Sequence, residues 1–284
     1  MSLPHFASAL NTTDRPESLL LHRYGTDQSA DTSNWNAALD TILSHRSVRT
    51  YLPNPVADGV LELIVAAAQS APTSSSLQAW SVVAVADPNR KARLAELASP
   101  NPQILSAPLF LVWLADLSRL RDIATECGKT GEGLDYLESL LLATIDAALA
   151  AQNALVALES LGLGSCYIGG IRNHPAEVSE LLGLPPEALA LFGMTVGYPD
   201  PAIETEIKPR LPQSLVLHRE RYQTASRAHE LAAYDDAMRA FQTGQGMAVR
   251  GWTKVVADRI ADTASLKGRH LLLDVVRRMG FRVK

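Results

Sequence analysis

Side chains able to do chemistry fall in four short clusters. His45-Arg46-Ser47-Val48-Arg49 holds two guanidiniums, an imidazole and a hydroxyl, and no carboxylate. That donor-rich set suits a phosphate or another oxyanion, and it equally suits a solvated helix C-terminus, where cations offset the macrodipole. Residues 71 to 78 read APTSSSLQ. Their hydroxyls offer dense donor and acceptor capacity, and the Gln78 amide can address the edge of a polar heterocycle; the same composition also describes a flexible loop. Cys166-Tyr167-Ile168-Gly169-Gly170 closes an apolar run. Paired glycines admit a planar ligand to backbone N–H groups, and they also serve an ordinary strand-ending turn. In Lys208-Pro209-Arg210-Leu211-Pro212 the prolines stiffen a loop that presents two cations, unless it is simply a basic surface loop.

Other chemistries lack their signatures. There is no GxGxxG fingerprint, no GxxxxGK[ST] loop and no GxSxG elbow. The seven histidines never fall at i, i+4, so no local zinc motif arises and no metal is expected. A formal net charge of -4 gives no electrostatic reason to expect nucleic acid or an anionic membrane as partner. Two cysteines, Cys127 and Cys166, and an N-terminus from Met1 to Ala9 without basic and apolar signal regions point to a reducing cytoplasm.

Elements must position these clusters. Residues 1–35 are polar and read as an N-terminal arm, with Thr12, Thr13, Asp14, Arg15 and Pro16 early and a loose stretch from Gly25 to Ser33. Helices are expected over 36–44, 58–68 with Asp58 as N-cap, 89–98, 175–182 and 227–242, and a last helical region from Trp252. Short β-branched runs predict strands over 81–86, 109–115, 165–171 and 190–197. Ser139 to Leu158 carries 15 apolar residues in 20. Its polar neighbours Glu138, Asp146, Gln152, Asn153 and Glu159 share an arc of roughly 140° on a helical wheel, and Asp146 at mid-span would cost on the order of 3 kcal/mol in a bilayer. A central helix packed on several sides is therefore expected. The alternation of helices and strands predicts an α+β core with one layered sheet.

Taken in order, HRSVRTY at 45–51, APTSSSLQAW at 71–80, AQNALVALESLGLGSCYIGGIRN at 151–173, LFGMTVGYP at 191–199 and KPRLP at 208–212 resemble the FMN-dependent nitroreductase family. The likeness is to its oxygen-insensitive NADPH nitroreductase and NADPH-flavin oxidoreductase branch. The resemblance spans residues 36 to 284 and implies an α/β sandwich with a central, mainly antiparallel sheet flanked by helices. It further implies an intertwined homodimer with FMN at the interface. Residues 36–284 are then one FMN-binding domain with a helical excursion from about 213.

The resemblance also implies roles. His45, Arg46, Ser47 and Arg49 would hold the phosphate and ribityl chain, with Arg49 reaching the pyrimidine edge. Thr73, Ser74 and Ser75 would contact the flavin from the other subunit. Asn101 stands where the family often has Gln, which makes Gln103 a second candidate. Tyr167, Ile168, Gly169 and Gly170 would lie beside the isoalloxazine, and Lys208 and Arg210 near phosphate and ring. Arg250 is the nearest cation to a branch position associated with NADPH, so NADH also stays open as donor. The implied activity is ping-pong hydride transfer from NADPH through FMN N5 to nitroaromatics, quinones or flavins, with no separate catalytic residue. A dedicated flavin reductase and a non-catalytic flavin-binding protein are the alternatives.

Overall fold

Four strands, β1 (Trp80–Val85), β2 (Leu109–Asp116), β3 (Gly164–Ile168) and β4 (Ala188–Gly197), make one sheet in the order β1-β2-β4-β3, antiparallel at every pairing. In this computed structural model the described residues are 15–25, 30–224 and 227–284; the Met1–Ala9 stretch and Thr12 to Asp14 lie outside them.

The two central strands explain their own sequences. All eight residues of β2, LFLVWLAD, are buried, because helices cover both faces of the sheet and no solvent side remains to favour alternation. Phe110, Val112 and Leu114 pack with Leu94 of α4 (Pro88–Leu97), Ile104 of α5 (Pro102–Ser106) and Val178 of α8 (Pro175–Leu182). Leu109, Leu111 and Trp113 face the other way, onto Ile64 of α3 (Val60–Gln69) and Ala150, Ala154 and Leu158 of α7 (Leu137–Ser160). Trp113 pairs with Phe192 and Leu114 with Ala190, leaving Leu191 as an extra residue in β4, a bulge.

Several expectations change in detail. β3 stops at Ile168, and a 3-10 turn takes over from Gly169 to Asn173. The residue before α3 is Gly59 in the left-handed region at φ +78°, so Asp58 does not cap it. The short helices α5 and α6 (Ser118–Glu126) went unread in the sequence. Helix α7 is long and apolar enough to cross a membrane by length and composition. Its polar arc divides: Glu138 and Gln152 are exposed, whereas Asp146 is buried and Asn153 donates to the Ala67 carbonyl of α3. An apolar stripe, Leu137, Leu141, Ile145 and Leu149, is exposed as well.

The chain forms two compact units, 1–46 with 204–265, and 47–203 with 266–284. The second holds the sheet, α3 to α8, and α11 (Leu272–Arg278). After α11 the chain returns to the core, with Phe281 buried and Arg282 and Lys284 donating to the buried carboxylate of Asp135. Asp135 also accepts from Arg121, which makes a second pair with Glu187.

The first unit contains α1 (Arg15–Tyr24), α2 (Ala37–Leu43), α9 (Ala228–Gly244) and α10 (Trp252–Arg259). Helix α1 lies inside the stretch expected to be an arm, yet Leu19, Leu20 and Arg23 are buried. Arg15 grips Asp40 with two bonds of 2.5 and 2.8 Å, joining α1 to α2, and this pairing holds the Asp40 carboxyl below its ordinary range. Asn36 caps α2 by accepting from Ala38 N and Leu39 N. Asp235 of α9 accepts from Trp252 N at 2.6 Å and Thr253 N at 2.8 Å, fixing the start of α10.

Candidate functional site

The free edge of β3 is where the first cluster is laid down. Ser47 bridges Ser165 in parallel, and Val48 N donates to Ser165 O at 2.8 Å. Gly164 makes this approach possible, since a Cβ there would stand 2.5 Å from Val48 Cγ2. Below it, the Tyr51 hydroxyl donates to Val48 O at 2.6 Å and lies 2.6 Å from Thr195 Oγ1 on β4. Burial pushes the Tyr51 phenol up, so it remains a neutral donor. Arg49 is exposed, and its charge partly offsets the burial that raises the Cys166 thiol on β3.

Because Ser165 O points to Val48, alternation along the strand puts the N–H and C=O of Tyr167 on the same outer edge. Tyr167 is exposed and meets Phe192 edge-on at 5.4 Å, whereas the Ile168 side chain is in the core. The paired glycines divide their roles. A Cβ on Gly170 would sit 2.3 Å from Ala98 O, so that glycine serves packing; a Cβ on Gly169 would meet only Arg172 Nη2, at 3.7 Å. Asn101 donates to the same Ala98 carbonyl at 2.5 Å, and Gln103 donates to Asn101 Oδ1 at 3.0 Å. Asn101 and Gln103 are thus one bonded unit behind Gly170.

In the other compact unit a residue missed in the sequence organises the basic segments. The buried Arg23 guanidinium donates to Leu43 O at 2.9 Å, His45 O at 3.0 Å and Lys208 O at 3.0 Å, and Arg210 N donates to Arg23 O at 2.7 Å. Arg46 Nε reaches Thr205 Oγ1 at 3.1 Å. His45, Arg46, Lys208 and Arg210 are so gathered around one guanidinium. Only the helical spacing of Leu19, Leu20 and Arg23 signalled it.

The serine-rich loop is built differently. The Thr73 hydroxyl donates to Asp146 of α7 at 2.7 Å and accepts from Gln78 N at 2.9 Å, so its contacts are internal. Ser74 N and Ala79 N also donate to Asp146. Ser75, Ser76 and Gln78 take left-handed φ values of 50°, 55° and 49°, a conformation that costs non-glycine residues energy and needs such anchoring. This loop leads into β1, at the sheet edge opposite β3, roughly 14 Å away at three strand spacings. Arg250 pairs with Asp258, and its N–H donates to Gln242 Oε1 at 2.8 Å.

A profile described as the nitroreductase family matches residues 42–126 and 137–198, and one described as its C-terminal domain matches 208–284. The chain is 38% identical over 251 residues to the FMN reductase (NADPH) of Bacillus subtilis (strain 168), covering 87% of this chain and 98% of that one. The chain belongs to the nitroreductase family. Within it, the chain is also 36% identical to the oxygen-insensitive NADPH nitroreductase of Salmonella typhimurium, covering 87% and 98% of the two. The NfrA1 nitroreductase of B. subtilis superposes with a TM-score of 0.80 at 36% identity, covering 86% of this chain and 99% of that one. The α+β antiparallel fold is that of the family.

Proposed function

We propose that this nitroreductase-family chain is an FMN-dependent NAD(P)H oxidoreductase that reduces nitroaromatics, quinones or flavins. The observation that carries the reading is the β3 edge, where Gly169 leaves an open face beside a segment rich in donors. The residues fit the group. In the first unit His45, Arg46, Lys208 and Arg210 supply cationic donors without a carboxylate among them, the chemistry that holds a phosphate. The names of the relatives support both FMN and NADPH.

FMN, when bound, supplies hydride acceptance and donation at N5. The chain's own residues bind and orient it. Gly169 would admit the ring to the strand edge, where Tyr167 presents its backbone N–H and C=O. Arg49, exposed beside this edge, would favour the reduced, more negative ring by its charge if it reached the pyrimidine side. The bonded Asn101 and Gln103 pair supports the Gly170 side. No side chain has to move a proton, so the catalytic requirement is position and charge. Nucleotide and acceptor use one space in turn, which gives ping-pong kinetics. Arg250 is already paired with Asp258, which reduces the charge it offers a 2′-phosphate, so NADH stays an admissible donor.

We further propose a homodimer. The apolar stripe Leu137, Leu141, Ile145 and Leu149 on α7 is exposed, and Ser74, Ser75 and Gln78 are on the sheet edge opposite Gly169, so they meet a flavin of the partner more readily than their own. Residues 36–284 act as one FMN-binding domain. A cytoplasmic location agrees with Cys127 and Cys166 both being free.

The test is direct. Purified protein should be yellow, and mixing with NADPH in a stopped-flow cell should bleach it within seconds. A colourless protein that takes up no added FMN overturns the proposal, and a bound flavin that NADPH leaves oxidised favours a binding protein.

A further inference from the structure

Helix α1 precedes residue 42, where the matched family segment begins, yet it is built into the compact unit that holds the basic segments. Pro16, Leu19, Leu20 and Arg23 are buried, a spacing that puts all four on one face of the helix. Both ends are fixed. At the start Arg15 pairs with Asp40 of α2. At the other end Gly25, at φ +72°, lies so close to α9 that a Cβ there would stand 2.6 Å from the Ala237 Cβ, and the Tyr24 hydroxyl accepts from Gln213 at 3.3 Å.

The leucines of that face dock the helix, and Arg23 has a second task. Its Nη1 donates to Lys208 O at 3.0 Å, and its Nη2 donates to Leu43 O at 2.9 Å and His45 O at 3.0 Å. Its own carbonyl accepts from Arg210 N at 2.7 Å. One residue therefore ties the segment carrying His45 and Arg46 to the segment carrying Lys208 and Arg210, although the two are far apart in sequence. Three carbonyl oxygens, whose dipoles would repel an anion, are committed to this guanidinium. Bringing Arg46, Lys208 and Arg210 together sets like charges against one another, and the bonds through Arg23 hold them in place against that repulsion. The remaining freedom is taken up nearby: Arg46 Nε donates to Thr205 Oγ1 at 3.1 Å, Lys208 Nζ lies 6.0 Å from the centre of the Phe241 ring, and the Tyr234 hydroxyl donates to Pro209 O at 3.1 Å. A ligand that meets donors already in position is spared the cost of ordering them.

We propose that α1 is an added positioning element for the phosphate end of FMN, and that Arg23 is the positioning residue through which it makes the site prefer a phosphorylated flavin; the inference rests on the oxidoreductase reading above. Arg23 does not touch the phosphate in this assignment. It acts through the backbone of residues 43 to 45 and 208 to 210, so its effect is confined to the phosphate and does not extend to the ring.

The experiment compares FMN with riboflavin, which lacks the phosphate. The whole purified chain, loaded with either flavin, is diluted in series, and the released flavin is read by its fluorescence for wild type, Arg23→Met and Arg23→Lys. Arg23→Met keeps a long buried stem and removes the donors. Its Kd for FMN should rise on the order of tenfold, while its Kd for riboflavin stays as in wild type. Arg23→Lys keeps a cation that reaches fewer of the carbonyls at once, so its Kd for FMN should fall between the two. An unchanged Kd for FMN in Arg23→Met overturns the proposal. Equal rises for FMN and riboflavin overturn it as well, because they mark a helix that merely stabilises its unit. Should Arg23→Met fail to fold, Arg23→Lys decides by the same two readings. A wild type that takes up neither flavin fails the oxidoreductase reading and this one with it, whereas a wild type that holds FMN beside an unaffected variant fails this one alone.

Discussion

The Tyr51 hydroxyl lies 2.6 Å from the Thr195 hydroxyl, and through Val48 O it fixes the 47–49 segment to the sheet. Thr195 Oγ1 also accepts from Cys166 N at 3.0 Å, so one buried oxygen ties both β3 and the basic segment to β4. Thr195→Val should cost roughly 1 to 3 kcal/mol, because it leaves buried polar groups unsatisfied. Urea unfolding measures the loss, and FMN retention should fall with it. Thr195→Ser should restore both.

Gly169 and Gly170 should separate. Gly170→Ala drives a methyl into the Ala98 carbonyl and should lower the melting temperature by several degrees. Gly169→Ala finds open space in the chain itself, so stability should change by less than about 0.5 kcal/mol while flavin uptake or its reduction by NADPH slows. Equal effects of the two on melting would contradict the division of roles.

Asp146 holds the loop of 73 to 79 at three points. Asp146→Ala should destabilise by roughly 1 to 3 kcal/mol through the orphaned N–H and hydroxyl groups. If Ser74 and Ser75 serve a partner's flavin, FMN affinity should drop as well, measured by fluorescence on flavin release. Undisturbed stability and affinity would remove the loop from the site.

Acid should loosen the C-terminal return. Burial pushes the Asp135 carboxyl up, but bonds from Arg121 and Lys284 and the charge of Arg282 outweigh it and hold it below the usual value. A depressed native pKa means that the stabilisation is complete above the unfolded pKa, about 4, and fades as pH falls through the lower native value. Asp135→Asn should reduce the urea midpoint at pH 7, and the difference from wild type should shrink at the acid end.

Arg49→Ala and Lys208→Ala should each weaken FMN retention or slow its reduction, read from flavin content after dialysis and stopped-flow rate. Leu141→Asp with Ile145→Asp should shift the mass measured by light scattering from dimer to monomer, since charges on the α7 stripe cannot be buried unpaired.

Much of this protein was legible in its residues. The order of the five motifs carried the family, the β-branched runs carried the four strands, and Asn36 carried the start of α2. These are local properties of composition and period, and they survive in any fold that uses them; the cap read at Asp58 did not, because Gly59 takes that place. Other features depended on partners far along the chain. Arg23 joins residues 43, 45 and 208, and Thr73 turns inward because Asp146 lies beside it. Asp146 and Asn153 of the α7 arc face protein for the same reason, while the apolar stripe is left outside. Gly169 and Gly170 are indistinguishable as letters; only the position of the Ala98 carbonyl separates them. Residue type determines what bonds a side chain is able to make, and tertiary packing decides which atom takes them, because a buried polar group must find its partner wherever the fold brings one.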